Sequence, residues 1–284
     1  MPLNPPLHSS LAAHTAGLAD AALVVVRGDR ALQVQVLAPA GTPSGTTVFL
    51  VHGAGGRAAQ WRWVIPGLLA AGHQVVAFDA LGHGASPAPR QWRSYAGSAF
   101  VADLQAIVEH HRAPVNVLVG HSYGTRVVLG ALSQGLAGIS RAVLLAPPAP
   151  AWPRRAPWLA YLPVPVLAHL RPRLSAGFRA AAWGPDAPVD LVDEETAISD
   201  RNPLYVFKAL WRQALQLEPA ALGALSLPVQ VLAGEADRLT PPAGAQLLAQ
   251  ALPNARLTVL PRAGHQLPLE APAAVVQAVL NGGP

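Results

Sequence analysis

The sequence predicts an α/β fold: a mostly parallel sheet with helices on both faces. Two observations carry this expectation. Short apolar runs rich in Val and Leu recur along the chain, and segments of helical period lie between several of them, the pattern of strands buried on both sides. At 284 residues, the length also suits one catalytic domain with a modest insertion.

Element by element, Val24–Val26 and Gln33–Leu37 flank the turn-forming Gly28-Asp29-Arg30 and predict an opening β-hairpin. Strands are expected at Thr46–Val51, Gln74–Phe78, Val115–Val119, Arg141–Leu145, Val229–Leu232 and Arg256–Leu260, about eight in all. Helices are expected at Ala58–Ala71, Tyr95–His111, Ser122–Ser133, Pro241–Leu252 and Pro272–Leu280. Thr240 before Pro241 predicts an N-cap hydroxyl ahead of a proline whose missing N–H is harmless in a first turn.

The rhythm breaks between Pro147 and Leu222. Eight prolines fall between positions 147 and 172, and short helical patterns follow around Ser175–Ala182 and Pro203–Gln216. The segment also carries Trp152, Trp158, Trp183 and Trp211, four of the seven Trp. It is expected to be an inserted cap, so that residues 1–146 and 223–284 form the two parts of a core domain and 147–222 a lid.

Composition narrows the chemistry. The chain is 51% hydrophobic and 12% charged, against roughly 25% charged in an ordinary globular protein, which excludes disorder. Its net charge of +5 is scattered rather than gathered in a stripe, so nucleic acid is not an expected partner. With no Cys, a disulfide framework, a thiolate metal site and a Cys nucleophile are excluded. The first 20 residues show no charged region followed by an apolar one, and the apolar stretch Leu159–Leu170 is too short to span a bilayer. A cytoplasmic protein without a transmembrane segment is expected.

Gly120-His121-Ser122-Tyr123-Gly124 fits the G-x-S-x-G nucleophile elbow, between a predicted strand and a predicted helix. The two glycines answer a steric need, because the Ser sits on a sharp turn that flanking β-carbons would crowd. The N–H of Tyr123, at the positive start of the helix, then faces a developing oxyanion. A second N–H is expected from Ala54 in His52-Gly53-Ala54-Gly55-Gly56, the Gly-rich loop after the strand Thr46–Val51.

A Ser hydroxyl needs a base to take its proton, and the base needs a third group to orient it. His265 lies just beyond the last predicted strand, and Asp237 lies in the loop after the strand before it; both loops belong to the carboxyl edge of the sheet, where sites in open α/β folds gather. Glu235 is the alternative orienting acid. Asp79, His83 and Ser86 are read as fastenings of a tight turn, His121 as a packing residue of the elbow, and His110 and His111 as favourable groups at a helix end.

Together these motifs resemble the α/β-hydrolase superfamily over nearly the whole chain. His52–Gly56 is similar to its oxyanion loop and Gly120–Gly124 to its elbow. Asp79-Ala80-Leu81-Gly82-His83-Gly84-Ala85-Ser86 resembles its D-x-x-G-x-G-x-S turn, and Gly234–Pro242 and Gly264-His265 resemble its acid and histidine loops. The resemblance implies an eight-stranded sheet with a helical lid over the substrate pocket. It also implies a carboxylesterase-like serine hydrolase with Ser122 as nucleophile, His265 as base and Asp237 behind it, needing no metal or organic cofactor.

The expected partner is a small, apolar acyl substrate. A thioester, a lactone or a carbon–carbon bond would suit the same triad, and a ligand-binding receptor is the alternative from another class. Trp152-Pro153-Arg154-Arg155 with Trp158 and Tyr161 could also bring the lid against a membrane surface.

Overall fold

A computed structural model describes residues 22–150 and 156–281. Residues 1–20, and Trp152 to Arg155 of the expected membrane-contact run, lie outside them. The eight expected strands are present as β1 (Ala22–Arg27), β2 (Arg30–Leu37), β3 (Thr46–Val51), β4 (Gln74–Asp79), β5 (Val115–His121), β6 (Arg141–Leu145), β7 (Val229–Gly234) and β8 (Ala255–Leu260). They form one sheet in the order β1-β2-β4-β3-β5-β6-β7-β8. β1 pairs antiparallel with β2 and β2 with β4, and all later pairings are parallel.

Every residue of β3 is buried, as the apolar run Val48-Phe49-Leu50-Val51 requires of a strand covered on both faces. One face packs the cluster containing Phe49, Val76, Leu118 and Leu144. The other packs Val48, Leu50, Val75 and Val117 beneath Trp61 and Leu68.

The helices are α1 (Ile65–Ala70), α2 (Gly97–His111), α3 (Tyr123–Ser133), α4 (Val164–Ala182), α5 (Val189–Ser199), α6 (Leu204–Arg212), α7 (Pro219–Gly223), α8 (Pro242–Ala251), α9 (Leu267–Glu270) and α10 (Pro272–Leu280). The expected helix Ala58–Ala71 is a correction. It is a 3-10 turn at Ala58–Trp61 followed by α1, because Pro66, lacking an N–H to bond back to the preceding turn, fits best in a first turn. Between β6 and β7, helical structure is more extensive than the two expected patterns: α4 runs for 19 residues and accommodates Pro172, and α5 was not foreseen.

Sheet register places the chemistry. Val51 stands opposite Gly120, His121 opposite Leu145, Leu145 opposite Leu232, and Gly234 opposite Leu260. The chain segments leaving β3, β5, β7 and β8 therefore emerge at one carboxyl edge. Strand order switches direction between β3 and β5, the place where open α/β sheets leave a crevice for ligands.

Phe49 is fully buried in the central strand. Phe49→Ala should destabilise the fold by about 3–5 kcal/mol, measured as a lower denaturation midpoint at unchanged slope in urea.

Candidate active site

The elbow is built by close approach. Ser122 follows β5 directly and has φ 51° and ψ −118°, a strained conformation for a residue with a side chain. A β-carbon on Gly124 would lie 2.4 Å from the Val51 carbonyl oxygen and 2.6 Å from that of His52, and one on Gly120 would lie 2.8 Å from the Gly124 oxygen. Those contacts are the physical reason for glycine at both positions. The turn is held by Ser122 N–H donating to Leu145 O (2.9 Å) and by Thr125 Oγ1 donating to Ser122 O (2.6 Å).

Ser122, Ala54, His265 and Thr240 line one cavity of about 240 Å³. His265 and Asp237 are both buried, with Nδ1 of the ring 2.8 Å from Asp237 Oδ2. Nδ1–H donates to the carboxylate, which leaves Nε2 as an acceptor. The other carboxylate oxygen, Oδ1, accepts the N–H groups of Leu239 (2.8 Å) and Thr240 (2.9 Å). Burial would raise the Asp237 carboxyl, but the bond to His265, its charge and the Thr240 hydroxyl and amide hold it below the usual carboxylate range. Glu235, the alternative acid, instead accepts the N–H of Arg262 at 3.0 Å.

Thr240 departs from its expected role. Helix α8 begins at Pro242 with Pro241 as its cap. The Thr240 hydroxyl turns inward, donating to Asp237 Oδ2 at 2.6 Å and lying 3.0 Å from both His265 Nδ1 and Ala146 O. Only the tertiary fold brings Ala146 and His265 to it, so local spacing could not show this.

Glu270 was also missed. Its carboxylate accepts three backbone N–H groups, from Gly184 (2.8 Å), Gly264 (2.9 Å) and Gln266 (2.9 Å), and so frames the loop that carries His265. Burial raises its pKa, against the pull of these three donors. His265 N–H donates in turn to Ala182 O at 2.6 Å. The only sequence signal was the spacing Gly264-His265-x-x-x-x-Glu270.

The Gly-rich loop after β3 is fastened from above and below. Gly56 N–H donates to Gly53 O (3.1 Å), and buried Asn202, between α5 and α6, donates from Nδ2 to Gly55 O (2.9 Å). Tyr123 supplies the first helical residue of α3, whose N–H has no intrahelical acceptor. Its ring points away from the 240 Å³ cavity into a void of about 20 Å³ that His83 also lines.

The neighbouring histidines are structural. His52 Nδ1–H donates to Gly53 O (2.7 Å) while Nε2 accepts from Ala80 N–H (2.9 Å). His121 Nε2–H donates to His265 O (2.8 Å) while Nδ1 accepts from Gln60 (2.7 Å). Asp79 accepts the N–H groups of Ala58 and Ala85, and Ser86 donates to the Asp79 carbonyl, the tight turn expected for this motif.

Of the four Trp between β6 and β7, Trp183 and Trp211 line the cavity. Trp158 instead is 70% exposed, and Trp152 lies outside the described residues. Among the described residues, no cluster of three or more His, Asp or Glu side chains has metal-binding geometry, and no helix is long and apolar enough to cross a membrane.

A model of the alpha/beta hydrolase family matches residues 48–278. The chain belongs to the alpha/beta hydrolase family. This family member is 27% identical over 243 residues to Protein ABHD8 of Bos taurus, covering 83% of the chain and 55% of that protein, so it spans about half the length of those relatives. It is 32% identical over 241 residues to the putative carbamate hydrolase RutD of Variovorax paradoxus, covering 79% of the chain and 86% of the relative. An esterase from Exiguobacterium antarcticum superposes with a TM-score of 0.77 at 19% identity, over 89% of this chain and 95% of that one.

Burial pushes His52 down to about 4. It pushes His83 and His121 down to about 3, helped by the positive charge of His52 and His265 respectively. In the unfolded chain each ring binds a proton near pH 6.5. The unfolded state therefore binds more protons as pH falls below that value, and stability is lost on the way down to about pH 4. Thermal unfolding followed by circular dichroism should show Tm falling steadily from pH 7 to pH 4, and a flat Tm would contradict neutral burial of these rings.

Proposed function

We propose that the enzyme is a serine hydrolase that cleaves a carboxylic ester or related acyl bond through an acyl-enzyme. Ser122 is the nucleophile, His265 the general base and Asp237 the group that fixes the imidazole tautomer, and the N–H groups of Ala54 and Tyr123 form the oxyanion hole. The observation that carries the reading is the buried 2.8 Å bond from His265 Nδ1 to Asp237 Oδ2, in a ring that lines the same cavity as Ser122.

As Ser122 Oγ attacks the carbonyl carbon, its proton passes to His265 Nε2. Negative charge then gathers on the carbonyl oxygen, where the two N–H groups stabilise it. Collapse expels the alcohol, which takes the proton from His265. Water attacks the acyl-enzyme with the same ring as base, releasing the acid and restoring Ser122. In this scheme Asp237 keeps its charge and steadies the imidazolium. The segment 147–222 acts as a lid that excludes water from the acyl group.

Ser122→Ala should abolish turnover of short-chain chromogenic esters, and Asp237→Asn should lower kcat by up to about 10⁴-fold through the wrong tautomer. Thr240→Val, which keeps the shape but loses a hydrogen bond to a charged group, should lower kcat/KM by about tenfold. Wild-type turnover in purified Ser122→Ala protein would end the proposal. A panel of esters, thioesters and lactones of graded length identifies the bond.

With His52, His83 and His121 held neutral, none of these three rings contributes an ionisation to the kcat/KM profile between pH 5 and 8. A profile flat over this range in protein that stays folded would contradict a histidine base.

A further inference from the structure

A second, larger chamber adjoins the catalytic cavity. Phe178, Phe207 and Trp211 line both, and the second chamber, about 310 Å³, continues between Leu167, Leu174 and Leu204. An engineered apolar cavity of about 150 Å³ binds benzene, so this chamber has room for an apolar group about twice that size. The charged side chains at its wall face protein partners: Lys208 donates to Leu162 O (2.6 Å), Arg171 to Asn202 O (2.6 Å), and Asp200 accepts from Ser175 (2.5 Å).

The catalytic cavity itself has a different character. Gln60, Glu195 and Thr196 line it beside Ser122. Thr196 has its hydroxyl proton committed to Val192 O (2.6 Å), and Gln60 donates to His121. Glu195, on α5, is an acceptor only. Its side chain is 14% exposed, and Arg62 Nη1 stands 2.8 Å from Oε1. The two form an ion pair without an aligned hydrogen bond: Arg62 Nη1 donates to Ala59 O, and Oε1 accepts no hydrogen bond among the described residues. Arg62 compensates the charge, but Oε1 keeps acceptor capacity that no aligned donor fills, and a donor brought by the ligand would fill it.

We infer that the substrate is an amphiphile, with an apolar group in the 310 Å³ chamber and a neutral hydroxyl or amide N–H donor, on the other side of the scissile bond, bonded to Glu195. The donor is neutral because Arg62 already compensates the carboxylate charge, so a cation gains little there. Glu195 thus becomes a specificity-determining residue. This inference rests on the acyl-hydrolase reading.

The test uses full-length protein and two mirror pairs of esters. Glyceryl 1-hexanoate is compared with propyl hexanoate, and hexyl glycerate with hexyl butanoate, on wild type, Glu195→Gln and Glu195→Leu. In at least one pair the dihydroxy ester should lead by about tenfold to a hundredfold in kcat/KM, as for a hydrogen bond to a charged group. The lead should shrink in Glu195→Gln, which keeps one carbonyl acceptor, and vanish in Glu195→Leu.

Equal kcat/KM within both pairs on wild type would overturn the inference, as would a full lead in folded Glu195→Leu. If Glu195→Leu does not fold, an undiminished lead in Glu195→Gln overturns it. Hexanoylcholine, a cation without a donor, outpacing glyceryl hexanoate would also overturn it.

Should wild type hydrolyse none of these esters, the acyl-hydrolase reading fails by itself. Calorimetric binding of 1-O-hexylglycerol against hexyl 2-methoxyethyl ether, which has no donor, then decides the inference. Preference for the glycerol ether that Glu195→Gln weakens supports it, and equal binding overturns it.

Discussion

Main-chain contact at the end of β5 is the constraint on which the site depends. Ser122 occupies a backbone conformation that an isolated chain would leave, with a strain of about 1–3 kcal/mol. It persists because Gly120 and Gly124 let neighbouring carbonyls approach closer than any side chain would permit. The bonds from Ser122 N–H to Leu145 O and from Thr125 to Ser122 O close the remaining freedom. A buried parallel sheet supplies the rigidity, since β3 and β6 flank β5 on both sides.

The acid and histidine are positioned by a different principle, saturation of hydrogen-bonding groups. Asp237 is held by two N–H groups and a hydroxyl before His265 is counted. The His265 loop, in turn, is framed by the Glu270 carboxylate and by Ala182 O. Such a ring has little rotational freedom, and its tautomer is set by its partner rather than by solvent. Buried His121 extends the network as a neutral link, donating to His265 O and accepting from Gln60.

What could be read along the chain was whatever short-range spacing encodes. The strands announced themselves through Val- and Leu-rich runs, and the elbow and the Gly-rich loop through glycines whose steric reason is local. The meeting of His265 with Asp237, beside the cavity that Ser122 lines, followed from loop position. Thr240 and Glu270 did not, because each acquires its role from groups far away in sequence: Ala146 and His265 for one, Gly184 for the other. Helix α5 escaped notice because Asp193, Glu194 and Glu195 interrupt its apolar spacing, and Glu195 itself points into the cavity rather than into solvent. The break in Ala58–Ala71 was legible at Pro66 and was overridden by the apolar pattern around it.

The segment between β6 and β7 does more than line the cavity. Asn202 grips the Gly-rich loop at Gly55, and the C-terminal end of α4 receives the N–H groups of His265 and Arg238 through Ala182 and Ala181. A rigid swing of its described part would therefore break the bonds at Gly55, Arg238 and His265. The same tethers limit grafting: a foreign segment transplanted onto this sheet would leave Gly55 and His265 without their clasps unless it reproduced the amide of residue 202 and the carbonyl of residue 182.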